Sequence, residues 1–335
     1  MHLDVCGGCN AKIGAGDLTK ILKKLPIHKR DDILAGFEGN EDGAIIQVSD
    51  DLAVVTSVDF FPPMVEDAYA FGKIAAANSL SDLYAMGAEP VSAMNIVAFP
   101  EGEDMAILDA ILQGGAEVCE EAGATLTGGH SIHDPKIKYG LSVIGKLKLT
   151  EVLRNNTPEV GDALYLTKPL GVSLLMSGYQ VDEVSKEDYQ RAVDSMCRLN
   201  KGAYEVLRKY DVHALTDVTG FGLLGHLCEM AEGTSAVVLS DQLNILPGAK
   251  EAAEGFLFTA GGQRNRKAYG DKIAFEIDDF ALEEVLYDPQ SSGGLLISVA
   301  AKDGAKMAEE MKAAGIDVAC IGEMIEPGDK AIYVR

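Results

Sequence analysis

The sequence is poor in the features that mark several function classes. Positive charge is scarce: 29 Lys and Arg against 52 Asp and Glu leave a formal net charge of −23, and no basic stretch is longer than "HKR" or "LKK". Nucleic-acid binding relies on clustered cations that displace counterions from phosphates, so that class is disfavoured. An acidic enzyme can still hold a polyanion when divalent metal ions mediate the contact. Cysteine is sparse, six in 335 residues, and Cys119, Cys197, Cys228 and Cys320 are scattered among apolar neighbours. They read as small core residues. No window approaches the ~18 uninterrupted apolar residues of a membrane span. The opening "MHLDVCGGC" lacks the basic segment and apolar run of a secretory leader. The expectation is a protein of the reducing cytoplasm, without membrane or direct nucleic-acid partners. There is no Walker A sequence, no short-period repeat and no low-complexity tract.

What is present is a globular composition, 47% hydrophobic and 24% charged. Residues 43–48 and 53–58 read as strands around a polar turn, 68–86 as a long Ala-rich helix, and "SAMNIVAF" as a further strand. A helix over 103–122, a strand "ATLTGGHS" running into a glycine turn, and the strand "YGLSVIGKLKL" follow. The stretch "RNNTPEVGD" (154–162) has turn residues, a proline and no apolar periodicity, and marks a boundary. Beyond it the pattern restarts with "ALYLTK", a helix over 187–209, the strands "AVVLS" and "LLISVAA", and a final helix over 303–314. The alternation predicts an α/β (α+β) chain of two domains.

Several aspartates stand in unusual places. Asp59 ends the apolar run "VVTSVDFF", Asp42 directly precedes a strand, Asp82 lies inside the Ala-rich helix, and Asp217 follows "ALT". Asn78 and Asp82 are one helical turn apart and share a face. Buried carboxylates are expensive to ionise singly, but several that converge can hold hard cations such as magnesium on phosphate oxygens. Each can also cap a helix or a turn. The glycine clusters "LTGGHS" and "DPQSSGGLL" are places where backbone amides can approach phosphates, and His130 can orient one. Gly220, Gly222 and Gly225 form a literal G-x-G-x-x-G, better read as a tight strand-to-helix turn than as a dinucleotide site. His2, His28, His133, His213 and His226 have no partner at metal-ligand spacing. In "CGGCNAKIG" (6–14) a zinc site lacks its second ligand pair, and a redox dithiol lacks the strand before and helix after it. A glycine-hinged arm that carries one nucleophilic cysteine, with a lysine three residues on, fits better.

Taken together, "CNAKI" (9–13), "GFEGNEDGA" (36–44), "TSVDFF" (56–61), "FGKIAAANSLSDLYAMGAEP" (71–90), "GGHSI" (128–132), "LTKPLG" (166–171), "MCRLN" (196–200), "LTDVTGFGLLGHL" (215–227) and "DPQSSGGLL" (288–296) resemble the selenide, water dikinase family over essentially the whole chain. The helix motif also marks the wider aminoimidazole ribonucleotide synthetase-like superfamily. The resemblance implies a homodimer, with an N-terminal sheet domain forming the dimer core and a C-terminal α/β domain. It divides the chain into a Gly-rich catalytic arm (1–15), an ATP- and Mg2+-binding domain (16–155) and a C-terminal domain (156–335). It implies conversion of ATP, selenide and water to selenophosphate, AMP and phosphate. Carried over residue by residue, Cys9 and Lys12 are catalytic, Lys12 also touching ATP. Gly39, Asn40, Glu41, Asp59 and Asp82 contact the nucleotide, and Gly129, His130 and Ser131 reach that of the partner subunit. Asp42, Asp82 and Asp217 bind metal. The chain departs from the family pattern in Asn10 and Ala11, where a glycine and a second cysteine are common, in the extra Cys6, in Glu41-Asp42 for Asp-Asp, and in "SSGG" for "TSGG". A different enzyme of the same superfamily, such as thiamine-phosphate kinase or the purine-pathway synthetase, and a metal- or selenium-binding carrier without turnover are the rival readings.

Overall fold

A computed structural model describes Leu3, Val5, Ile21, Leu22 and residues 24–36 and 41–335. Two mixed sheets organise them. The first is built from β1 (Ile33–Ala35), β2 (Ala44–Gln47), β3 (Leu52–Phe61), β4 (Glu89–Phe99), β5 (Thr125–His133) and β6 (Lys138–Lys148), in the order β1-β2-β3-β6-β4-β5. Only β4 and β5 run parallel. Helices α1 (Ala68–Ala85) and α2 (Met105–Ala122) belong to this half and pack on each other.

The second sheet has seven strands. They are β7 (Ala163–Thr167), β8 (Val212–Asp217), β9 (Ser235–Val238), β10 (Ile273–Phe275), β11 (Leu295–Val299), β12 (Val318–Ile325) and β13 (Ile332–Val334), in the order β10-β13-β9-β12-β7-β11-β8. Its helices are α3 (Val172–Tyr179), α4 (Lys186–Cys197), α5 (Lys201–Leu207), α6 (Gly222–Met230), α7 (Ala249–Glu254), α8 (Ala260–Tyr269), α9 (Phe280–Tyr287) and α10 (Ala301–Ala313). No described helix is long and apolar enough to cross a membrane.

The expected elements differ from the observed ones at two informative places. The glycine turn expected after "ATLT" is absent: β5 runs through Gly128 and Gly129 to His133. A Cβ on Gly129 would collide with the carbonyl of Asn95 on β4, so the glycine serves strand contact rather than a turn. The helix expected over 187–209 is two helices, α4 and α5, broken at Arg198–Asn200. The break is where "MCRLN" meets the first domain, and side-chain bonds there outweigh helix propensity.

Helix α1 explains how the halves are joined. Asp67 caps it by accepting from the Ala70 amide (2.7 Å). Alanines and a small Gly72 let it lie against neighbours on every side, and 15 of its 18 residues are buried. It packs on β3, β6 and α2 of its own half and on α4, α5 and β8 of the other. A helix enclosed in this way has no solvent face, so any polar residue on it must be satisfied by protein or by ligand.

Candidate active site

Strand alternation on β3 places Ser57, Asp59 and Phe61 on the face toward α1, and Val58 and Phe60 on the opposite face. Asn78 and Asp82 project toward this row from α1. Asn78 donates to Asp59 Oδ2 (2.6 Å), and the Ser57 hydroxyl donates to Asp82 Oδ2. From the other domain, β8 ends at Asp217, whose neighbour Thr216 donates to Asp42 Oδ1 (3.2 Å). The following turn enters α6 through Gly222, at φ 67°. This is the strand-to-helix turn read from the glycine spacing. His226 on α6 fixes it by accepting the Thr219 amide on Nε2 (3.1 Å).

These elements bring Asp42, Asp82 and Asp217 together, with one carboxylate oxygen of each lying within 4.8 Å of the others. Asp82 and Asp217 are buried and Asp42 is half-buried. Burial pushes the Asp42 carboxyl well above the usual carboxylate range, and the Asp217 charge pushes it further. Asp82 is raised in the same direction, first by burial and then by Asp59, Asp217 and Asp42. No cation of the described chain pairs with Asp42 or Asp82. Oδ2 of Asp42 is buried with no hydrogen-bond partner among the described residues. Three converging carboxylates, one of which carries an unpartnered buried oxygen, fit a divalent cation of the magnesium kind.

Other expected site residues are placed as follows. Glu41, next to Asp42, is held by Arg154 (2.8 Å) and accepts the Asn155 amide (3.4 Å), which ties the segment between the domains to the loop of Asp42. Gly129, His130 and Ser131 lie on the exposed edge strand β5. Asp59, Leu141, Asn95 and Gly129 form one row across β3-β6-β4-β5, so three strand spacings, about 14 Å, separate Asp59 from Gly129. One chain therefore does not bring the β5 segment to the triad. Cys9, Lys12, Gly39 and Asn40 lie outside the described residues, as does Cys6. The cluster "DPQSSGGLL" is not an open phosphate cradle. Asp288 fills it by accepting the Ser173 (2.9 Å) and Leu174 (3.2 Å) amides at the start of α3. Cβ atoms on Gly293 and Gly294 would strike the carbonyls of Val218 and Thr167.

Sequence reasoning missed Ser57, Thr216 and Arg154. Ser57 stands two residues before Asp59 on one strand and Thr216 beside Asp217, so alternation and adjacency carried a signal for both. Arg154 sits in a polar linker with none.

The chain matches the family of AIR synthase related proteins in both halves, the N-terminal domain over residues 40–147 and the C-terminal domain over 159–335. It is 48% identical over 332 residues to the selenide, water dikinase of Agathobacter rectalis, covering 98% of this chain and 97% of that one. It is 47% identical over 330 residues to that of Desulfitobacterium hafniense strain Y51, covering 98% and 97%. Among solved structures it is similar to the thiamine-monophosphate kinase of Stenotrophomonas maltophilia K279a, at 21% identity and a TM-score of 0.64, over 100% of this chain and 97% of that one. It is also similar to a hydrogenase maturation protein of E. coli, at 20% identity and a TM-score of 0.62, over 84% and 82%. These two likenesses speak for the fold, and the two curated relatives speak for the family. The acidic triad thus sits at the meeting of two AIR synthase-related domains, and the chain belongs to the selenide, water dikinase family.

Proposed function

We propose that this site performs the ATP-dependent synthesis of selenophosphate from selenide and water, with release of AMP and phosphate. The observation that carries the reading is the Asp42–Asp82–Asp217 convergence, in a chain nearly half identical to its relatives over 98% of its length. Asp42, Asp82 and Asp217 would hold Mg2+, which when bound neutralises phosphate charge and aligns the γ-phosphoryl group for in-line transfer. Asp59, oriented by Asn78, and the segment Gly39–Glu41 would position the nucleotide. Lys12 would pair with hydroselenide or with charge developing on the phosphate. Cys9 would hold or deliver selenium as a soft thiolate.

Leu3 is held against the first domain. Its side chain is buried, and its amide donates to the Glu66 carbonyl beside the β3–α1 connection (2.9 Å). Phosphorus NMR of ATP with selenide tests the reading. Selenophosphate, AMP and phosphate are the expected products, and ADP as the end product would sink it. Cys9→Ser is expected to slow selenide-dependent AMP formation by about 100-fold or more. Cys6→Ser, run beside it, separates the two thiols.

The working unit would be a homodimer. The face of the first sheet turned away from α1 carries Val58, Phe60, Met94 and Ile132, at 55%, 51%, 39% and 55% exposure. That is an apolar surface of the kind that a second subunit covers. His130 pairs with Ile96 in register and lies on this same face, in line with the partner-reaching role of Gly129, His130 and Ser131. Phe60→Asp counts twice in a two-fold interface. It is expected to weaken association at least ~100-fold, read by analytical ultracentrifugation. A monomeric parent chain would refute the dimer. Sparse cysteine and the acidic balance support a cytoplasmic setting.

A further inference from the structure

Four non-glycine residues among those described have left-handed backbone: Lys168 (φ 57°), Asp182 (61°), Phe256 (63°) and Ser292 (49°). Two of them are bonded to each other. Lys168, just past β7, is buried, and its Nζ donates to the carbonyls of Ser292 (2.8 Å) and Arg198 (2.7 Å). No carboxylate lies within ion-pair distance of it among the described residues. Left-handed backbone costs free energy for any residue with a Cβ, and an unpaired buried ammonium costs more. Burial accordingly pushes the Lys168 amine down to about 7, with the Asp217 charge pulling the other way. A neutral donor would staple the loop at lower cost, so such a pair is better understood as part of a working site than as a fold staple.

The contacts of Ser292 lead to the nucleotide side. Its amide donates to Asn78 Oδ1 (2.8 Å), and Asn78 donates to Asp59. One residue on, the Gly293 carbonyl accepts from Asn200, which also donates to Ser81 on α1 (2.9 and 2.8 Å). The same loop enters β11, where Leu295 stands opposite Asp217. The Leu295 amide donates to Thr167 Oγ1, beside Lys168 (2.7 Å). A single loop, 292–295, thus touches Lys168 of the second domain and the helix of Asp82, directly at Asn78 and through Asn200 at Ser81.

We propose that Lys168 is a positioning residue for the family's reaction: through Ser292 and Asn78 it sets Asp59, and holds the helix carrying Asp82 in register with Asp217 on the other domain. The proposal rests on the reading of the acidic site given above. A displacement of about 1 Å in a reacting constellation costs on the order of 100-fold in rate. Lys168→Met is therefore expected to lower kcat for selenide-dependent AMP formation by about 100-fold, with KM for ATP within about threefold of the parent.

The decisive measurement is a double-mutant cycle across the two domains, assayed well below the melting transitions of all chains. If Lys168 and Asn78 act as one device, Lys168→Met with Asn78→Ala is no worse than the poorer single variant. Multiplicative losses overturn the proposal. So does a Lys168→Met chain with a lower melting temperature and a kcat within about threefold of the parent. Should the methionine chain not fold, Lys168→Gln keeps one neutral donor near the carbonyls. It is expected to lose about tenfold in kcat, and parental kcat overturns the proposal. Asp82→Asn separates the two levels of failure. Full activity there condemns the reading of the acidic site, whereas an inactive Asp82→Asn beside an active Lys168→Met condemns only the role of Lys168.

Discussion

Asp217→Asn is expected to lower ATP turnover by about 1,000-fold or more while leaving the fold intact. Asn has the shape of Asp, so the end of β8 keeps its packing and no cavity opens. What changes is the charge offered to a divalent cation. Metal clamping of a transferring phosphoryl group supplies several kcal/mol, and ~4 kcal/mol corresponds to about three decades of rate. Asp217 is the carboxylate contributed by the second domain, whereas Asp42 and Asp82 belong to the first. Losing it removes the only carboxylate of the triad that registers one domain against the other. In the metal-free chain the substitution acts in the opposite sense. Asp217 is a cause of the raised Asp42 and Asp82 carboxyls, and neutralising it relieves that repulsion. The check is paired: AMP formation at saturating magnesium, and thermal melting in EDTA. Turnover within tenfold of the parent chain would remove Asp217 from the metal set. A large fall in melting temperature would assign the lost activity to misfolding.

Much of this arrangement was legible in the sequence, for specific reasons. Asp82 stands out because it lies inside an Ala-rich apolar helix, and the structure buries 15 of that helix's 18 residues. The turn after Asp217 was legible because glycines at 220, 222 and 225 suit a sharp exit from a strand, which Gly222 provides with its positive φ. Other features depend on pairing across the chain and leave no local mark. The glycines of β5 resemble a turn until β4 is laid beside them, when the Asn95 carbonyl explains Gly129. Arg198–Asn200 looks helical by propensity, and the helix breaks because Asn200 is bonded to Ser81, 119 positions away. Lys168 carries no local mark in "LTKPLG". Its meaning comes from two carbonyls, one of them 124 positions distant. Cys9 and Lys12 lie outside the described residues, and it is their glycine-hinged setting and the family resemblance that single them out in the sequence.

Magnesium is expected to stabilise the chain more strongly as pH rises through the weakly acidic range, and that increment should vanish when the triad is neutralised. The sign follows from the raised carboxyls of Asp42 and Asp82. Below the ordinary carboxylate value, near 3.8, both groups are protonated in the folded and unfolded chains and cost nothing. Above it the unfolded chain ionises first, so metal-free stability falls as pH climbs toward the raised folded values. The slope is about 1.4 kcal/mol per pH unit for each proton by which the two states differ. A bound cation competes with those protons and offsets the repulsion, so its binding releases protons in that window. At about 100 times its dissociation constant the cation adds ~2.7 kcal/mol, a rise of roughly 5–11 °C in melting temperature for domains of this size. The net charge of −23 adds a general preference for any divalent ion, and this must be subtracted. The Asp42→Asn, Asp82→Asn double variant makes the subtraction, because it keeps nearly all of the surface charge and loses the site. Melting with and without magnesium from pH 5 to 8, with calorimetric proton release in two buffers, gives the result. Equal magnesium shifts in the parent and the double variant at every pH would mean that the ion is held by the surface at large. A parent-specific shift that grows with pH and then levels off is the signature of carboxylates that a buried cation keeps ionised.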